Sequence, residues 1–507
     1  MPFLPCAAPT FIGELDRSVY AAYHPPQKVK RMALPFILAG QKELSPQVIE
    51  VRSPYDGRIV AEVSQPSWEH GEKAAAAAKD SFEQTRRLPS YRRFEILSQV
   101  SHRLREHKEE FAQTLCQEAG KPIRDARSEV DRATSTFEIA AEEAKRIGGQ
   151  VLPLDIGEPH EGRIGIARRF PIGPILAITP FNFPLNLAAH KLAPAAAAGN
   201  PVVLKPSIVT PLCALKLGDL LLDAGWPGRA LSVLPFPPED AEKLARDDRF
   251  AMLTFTGSDS VGWHLKTAAG RKKVALELGG NAAVVVHEDA DLEQAASACC
   301  RGAFYYAGQS CISVQRIFVH APAADSFTAL FLEKVKGLKL GDPSSEDTDL
   351  GPMISEAAAA RAEEWIKEAI CAGARLLCGG SRKAALMEPT VLADASPHLR
   401  VCSEEVFAPI VVISRCRTFE EAIEQVNNSR YGLQAGVFTR DAGRIFGAFE
   451  RLEVGGVIIN DAPTYRCDAM PYGGTKASGV GREGPRYAIE EMTEPRIMVL
   501  SAPVSAR

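Results

Sequence analysis

The sequence has almost no net charge, no long apolar run and no spaced cluster of cysteines. Lys and Arg number 59 against 63 Asp and Glu in 507 residues, a formal charge of −4. That balance leaves no basic footprint for nucleic acid. No stretch approaches the ~20 apolar residues that cross a bilayer, so no membrane partner is expected. The opening Met1-Pro2-Phe3-Leu4-Pro5-Cys6 lacks the cationic start and the apolar run of a secretory leader. The 11 cysteines, an odd number, are scattered, with neither a CxxC pair nor a Cys/His ligand set. No metal site is expected, and reduced thiols in a cytoplasmic protein fit this usage best. Internal repeats and low-complexity tracts are also lacking.

What is present is ordinary for a globular protein: 46% hydrophobic and 24% charged residues, in a chain long enough for two or three packed units. The first ~30 residues are rich in Pro and aromatics without helical period and read as an N-terminal arm. Between residues 67 and 148 the pattern is helical, with Ile96, Leu97, Val100, Leu104, Phe111 and Leu115 at helix-face spacings. From residue 173 strands and helices alternate. Strands are predicted at 173–179, 201–205, 231–234 and 252–256, and helices at 185–198, 211–224, 238–246 and 259–269. A second alternating set runs from 282 to about 460, with a strand at 282–287, a helix at 292–307, a strand at 314–320 and an amphipathic helix at 356–372. The short strand at 496–500 has no evident partner. Continuous Val/Ile/Leu runs between helices predict an α/β fold with buried parallel sheets.

Three phrases carry chemistry. Gly308-Gln309-Ser310-Cys311-Ile312-Ser313 sets a cysteine among small polar residues after a helix. Leu276-Glu277-Leu278-Gly279-Gly280-Asn281 places a carboxylate beside a Gly-Gly turn. Thr179-Pro180-Phe181-Asn182-Phe183-Pro184 follows an apolar strand, so Asn182 falls at a sheet's carboxyl edge. Singly, each has a bland reading: a packing cysteine, a surface glutamate, a turn asparagine. In this order, over about residues 51–494, they resemble the aldehyde dehydrogenase superfamily.

The resemblance implies a Rossmann-type cofactor domain, an α/β catalytic domain and a small β oligomerisation arm. The corresponding boundaries are 1–31 for the N-terminal arm, 32–147 with 168–278 for the dinucleotide-binding domain, 279–484 for the catalytic domain, and 148–167 with 485–507 for the oligomerisation arm. It implies oxidation of an aldehyde to a carboxylic acid through a thiohemiacetal and a thioester on Cys311. Asn182 and the Cys311 N–H would hold the oxyanion, and Glu277 would activate the hydrolytic water. Lys191 and Glu483 match a proton-relay pair. Because acylating relatives commonly lack the glutamate, Glu277 favours a free acid over transfer to coenzyme A. A non-catalytic nucleotide-binding or structural relative would be expected to have lost Cys311 or Asn182. A Cys/His/Asn hydrolase is disfavoured because no histidine lies in the three phrases. A homodimer or homotetramer is implied.

NAD or NADP is the implied cofactor. Ile178, Thr179, Pro180 and Phe181 match its binding strand end, and Lys205 and Ser207 match the adenosine ribose site. Gly257, Ser258 and Val261 open a helix whose N-terminus suits a phosphate. Leu278, Glu405 and Phe407 match the nicotinamide end. The letters Gly479-Val480-Gly481-Arg482-Glu483-Gly484 satisfy GxGxxG, but no predicted strand precedes them and the fingerprint is rejected. Two departures stand out. Ile208 replaces the glutamate that NAD-preferring relatives often carry three residues after the lysine, which opens the site to NADP while leaving a slight lean to NAD. Leu234-Pro235-Phe236-Pro237-Pro238-Glu239-Asp240 replaces a glycine-rich loop and is similar to the lactaldehyde dehydrogenase-like branch. Phe183, Ser310 and Arg466 fall at the expected substrate end. Arg466 is a candidate clamp for an anionic tail, its plain alternative being an exposed arginine. Ser310 stands where triose-phosphate oxidisers have arginine, so a small anionic or hydroxylated aldehyde is favoured.

Overall fold

A computed structural model describes residues 32–501; the expected arm over 1–31 lies outside them. Two large sheets organise the chain. In the first, five parallel strands lie in the order Leu231–Val233, Val202–Lys205, Ile175–Ile178, Met252–Thr256, Lys273–Glu277. Every residue of the Ile175–Ile178 and Val202–Lys205 strands is buried, as a sheet covered on both faces requires. Two antiparallel edges complete it. Phe36–Leu38 pairs with Leu231–Val233 and carries Gln41–Glu43 on its outer side, and Gly479–Val480 pairs with Lys273–Glu277. The second sheet orders Thr390–Ala393, Ile410–Cys416, Arg316–His320, Ala283–Val286, Gln434–Phe438 and Gly456–Ile459 in parallel, with Arg375–Cys378 antiparallel at one edge. Each sheet has its own apolar core. The fold is the α/β arrangement the sequence predicts.

The helical stretch resolves into four helices, Trp68–Thr85, Ser90–Glu106, Lys108–Ala119 and Ile123–Ala144. Two of them send buried glutamates to cap helices of the sheet layer. Glu118 accepts from the N–H groups of Leu212 and Cys213 at 2.7 and 3.0 Å, at the start of Leu212–Asp223. Glu129 accepts from those of Leu185 and Asn186 at 3.0 and 3.1 Å, at the start of Asn186–Ala198. Orphan N–H groups of a helix's first turn need such acceptors when buried. The Asn186–Ala198 helix is buried along its whole length and carries His190 and Lys191.

The closing strand finds its partner. Thr493–Ser501 pairs antiparallel along its full length with Arg163–Pro171, which pairs in turn with Gly149–Pro153. The strand is longer than the predicted 496–500, because this pairing rather than local composition sets its ends. Among the described residues no helix is long and apolar enough to cross a membrane.

Candidate active site

The Cys311 loop is built by stopping a helix early. The predicted helix 292–307 ends at Phe304, where Tyr306 and Ala307 turn left-handed at φ 47° and 54°. The turn is held by the Tyr306 hydroxyl, which donates to the Ala119 carbonyl at 2.8 Å. Gly308, at φ 68°, lies so close to the Ala408 carbonyl that a Cβ would stand 2.2 Å from its oxygen, so only glycine fits. Beyond it Cys311 sits partly buried with Sγ 2.9 Å from the Tyr472 hydroxyl. Burial pushes its thiol up to about 12, against the opposing Tyr472 hydrogen bond. The lowered pKa typical of a reactive cysteine is therefore not built into the resting site.

Asn182 lies four residues beyond the Ile175–Ile178 strand, at the sheet's carboxyl edge. Its amide donates to the Gln309 carbonyl at 3.0 Å. That bond uses one amide hydrogen and leaves the other without a partner among the described residues, in a side chain that lines the same cavity as Cys311. The Cys311 N–H makes no hydrogen bond among the described residues. Two donors are thus left free beside the thiol.

Glu277 ends the Lys273–Glu277 strand, and its Oε2 is buried without a partner. Burial, and next the charge of Glu483, hold its carboxyl well above the ordinary range. Glu483 is the opposite case. Burial alone would raise it, but Lys191 at 2.7 Å and Arg466 at 2.9 Å hold it well below the ordinary range. The Gly-Gly turn joins these groups to the Cys311 loop. A Cβ on Gly280 would stand 2.7 Å from the Cys311 carbonyl oxygen, and its N–H donates to Glu405 at 3.1 Å.

One cavity of about 300 Å³ brings together Cys311, Glu277, Asn182, Glu483, Phe183, Ser310 and Arg466. Pro180, Phe181, Gly257, Ser258, Leu278, Glu405 and Phe407 line it as well. Lys191 reaches it only through Glu483. A second cavity of about 900 Å³ holds Ile178, Thr179, Lys205, Ser207 and Val261, and shares Pro180, Phe181, Thr256 and Gly257 with the first. Phe407, at φ 52°, packs its ring edge-on against Phe181, 5.8 Å between centroids. Ile208 lines neither cavity. These walls fit a dinucleotide. Lys205 is 8% exposed with no partner among the described residues. Ser258 N-caps the Asp259–Ala268 helix without making a side-chain cap bond, so its hydroxyl is open to a phosphate.

Arg466 is not the exposed residue of the plain alternative. Its side chain is 7% exposed, ion-paired to Glu483 and stacked 3.7 Å over the Tyr472 ring. Burial opposes its charge, but Glu483, Tyr472 and Asp468 outweigh that and hold it firmly protonated. Sequence reasoning missed Tyr472, Gln309 and Arg132. Arg132 lines the thiol cavity and clamps Asp468 at 2.7 and 3.1 Å, and Asp468 lies 2.8 Å from His190. The pairing spans 336 residues of sequence, and no local motif marks it. His287, Glu288 and His320 bring ligand atoms within 4.8 Å of one another. The two imidazoles stack 4.6 Å apart at 12°, so their lone pairs run in parallel planes and do not converge on an ion.

A two-sheet α/β fold whose thiol cavity shares Pro180, Phe181, Thr256 and Gly257 with a larger cleft suits a nucleotide-dependent oxidoreductase. Residues 41–498 match the aldehyde dehydrogenase family, and the chain belongs to it. It oxidises an aldehyde with NAD or NADP. The chain is 48% identical over 463 residues to a 3-sulfolactaldehyde dehydrogenase of Priestia aryabhattai, covering 91% of this chain and 97% of that one. Aldehyde dehydrogenase 21 of Physcomitrella patens, solved with its reaction product succinate, superposes with a TM-score of 0.92 at 44% identity, covering 94% and 100% of the two chains. The glyceraldehyde-3-phosphate dehydrogenase GapN of Methanocaldococcus jannaschii, solved with NADP, gives 0.87 at 40% identity over 90% and 100%.

Proposed function

We propose that the chain oxidises a small aldehyde bearing an anionic or hydroxylated tail to its carboxylic acid, with Cys311 as nucleophile. The observation that carries this reading is the shared cavity, lined by the Cys311 thiol, the Glu277 carboxyl and the Asn182 amide together with Arg132 and Arg466. The Cys311 sulfur adds to the aldehyde carbon as its thiol proton passes to a base in the site. The new alkoxide accepts hydrogen bonds from Asn182 Nδ2 and the Cys311 N–H, each such donor being worth about 10²–10³ in rate. When bound, the oxidised nicotinamide accepts the hydride that leaves this carbon. Glu277, once deprotonated, then takes a proton from water as it attacks the thioester. The carbon–sulfur bond breaks, the thiol is restored, and the acid leaves. Glu483 and Lys191 carry the proton outward.

In the larger cleft Lys205 and Ser207 would hold the adenosine ribose of the cofactor, and Leu278, Glu405 and Phe407 would hold its nicotinamide end. In this reading 168–278 with 32–147 binds the dinucleotide and 279–484 supplies the thiol. Arg132, 24% exposed in the cavity, offers a cation to the tail while Arg466 backs it. A sulfonated lactaldehyde and succinate, which two relatives are named for handling, both present an anion a short chain away from the reacting carbon. Ser310 in place of an arginine weighs against a phosphorylated triose. The exposed strand Thr493–Ser501 and its two partners form the surface on which a second copy of the chain packs, and the enzyme works in the cytoplasm.

The test is a panel of sulfonated, carboxylated and neutral aldehydes of equal length, with and without coenzyme A. The anionic substrates are expected to lead by about tenfold or more in kcat/KM. Arg132→Ala is expected to remove that lead and spare the neutral substrate. Equal loss on both classes rejects the anion clamp, and a rate that requires coenzyme A rejects hydrolysis.

A further inference from the structure

The cleft that holds Lys205 contains a carboxylate that the binding motifs do not point to. The Pro238–Arg246 helix starts in the proline-rich loop that replaces the usual glycine-rich one. Pro237 at its N-cap and Pro238 at its first position fix that start, and Glu239 follows directly. Glu239 lines the same cavity as Lys205 and Ser207. It is exposed and makes no hydrogen bond or ion pair among the described residues. A second carboxylate in that wall, Glu242, is already held by Arg246 at 2.6 Å and His264 at 3.1 Å. Its charge is offset, and that of Glu239 is not.

We infer that Glu239 sets the cofactor preference of this enzyme, accepting a hydrogen bond from the adenosine ribose and repelling a 2′-phosphate, so that NAD is favoured over NADP. The inference rests on the reading of the Lys205 cleft as the adenosine site. Ile208 cannot do this, being apolar and outside the cavity wall. Among the described residues, Lys205 and Glu239 are the two charged side chains in the cavity wall left without partners, one of each sign. A neutral ribose hydroxyl can bridge them, donating to the carboxylate and accepting from the ammonium. A phosphate would satisfy Lys205 but would face Glu239 as a like charge in a partly enclosed cleft. The electrostatics of Lys205 support the proximity. Burial lowers its ammonium to about 8, and the charge that opposes this is Glu239.

The experiment measures kcat/KM for NAD and NADP, and the Kd of each by titrating the quenching of protein fluorescence without aldehyde, in the full-length protein and in Glu239→Gln, Glu239→Asp and Lys205→Ala; the ratio of the two Kd values is expected to shift with the ratio of efficiencies. The native enzyme is expected to favour NAD by about tenfold or more, and raising the salt should narrow the gap as screening weakens the repulsion. Glu239→Gln should erase most of the preference, mainly by raising efficiency with NADP, and Glu239→Asp should retain it. Lys205→Ala should raise KM for both cofactors. A native preference for NADP overturns the inference. So does an unchanged ratio in Glu239→Gln while Lys205→Ala weakens both cofactors, a result that leaves the cleft reading standing. If Lys205→Ala changes neither KM, the cleft reading and the inference fall together.

Discussion

Glu277 and Glu483 are two glutamates in one cavity driven in opposite directions. Burial and the neighbouring charge of Glu483 keep Glu277 protonated above the ordinary carboxylate range. Lys191 and Arg466 keep Glu483 ionised below it. Such separation suits the base role proposed for Glu277 and the relay proposed for Glu483. Only deprotonated Glu277 can activate water, so turnover should rise with pH along a limb that Glu277 sets. Glu277→Gln should flatten that limb and lower steady-state turnover by about 10²–10⁴, while the first-turnover burst of reduced nicotinamide persists. Cys311→Ser should abolish the burst as well. Stopped-flow absorbance checks both, and a burst surviving in Cys311→Ser removes the sulfur from the mechanism. The stability effects have opposite signs. Glu277, raised in the fold, contributes stability below the ordinary carboxylate range that is lost as pH rises through its raised value. Glu483, depressed, contributes stability above that range that is lost as pH falls through its lowered value. Glu483→Gln should therefore flatten the acid side of the stability profile, read from denaturation midpoints between about pH 3 and 6.

At the scale of elements, the Asn186–Ala198 helix depends on a side chain from elsewhere in the chain. Glu129 accepts from two N–H groups at its start and pairs with Lys121, both side chains fully buried. Lys121 in turn lies 3.7 Å over the Phe183 ring that lines the thiol cavity. Removing one member of a buried pair costs about 3–5 kcal/mol because the other charge is left unpaired. Glu129→Ala should lose about that much in urea unfolding, with the helix bearing Lys191 loosened. A loss below about 1 kcal/mol would mean that the pair contributes little.

These elements also mark how far the sequence could be read. The strand Met252–Thr256 and the helix Pro238–Arg246 fall where their patterns place them, because apolar runs there are bounded by breakers. Phe36–Leu38 and Gly479–Val480 were not legible, since strands of two or three residues are fixed by their partners and carry no period. The helix before Cys311 was read three residues too long because its left-handed turn falls on Tyr306 and Ala307, residues with no turn signature. The local phrases singled out Cys311, Glu277 and Asn182, and the structure places all three in the wall of one cavity. Arg132, Tyr472 and Glu239 were not singled out, because each matters only through contacts made in three dimensions.

At the scale of the whole molecule, the three-stranded ribbon that includes Thr493–Ser501 leaves a run of apolar side chains uncovered. All but the first residue of Thr493–Ser501 are exposed. Ile497, Met498, Val499 and Leu500 keep 48–52% of their surface, so apolar groups face solvent on both sides of an edge strand. Val151 and Ile164 on the neighbouring strands extend the patch. A long, apolar, uncovered edge is an aggregation hazard unless something packs on it, and the expected cover is a second copy of the chain. None of these residues lines the cavity that holds Cys311, so charging the strand should act on assembly first. The double variant Met498→Lys/Val499→Asp is expected to lower the mass in multi-angle light scattering from a dimer or tetramer to a smaller species. Burst amplitude per chain should hold while thermal stability falls, since the catalytic cavity is built within one chain. An unchanged mass would move the subunit contact to another surface. A native protein that runs as a monomer at every concentration would leave the ribbon without the partner its composition calls for.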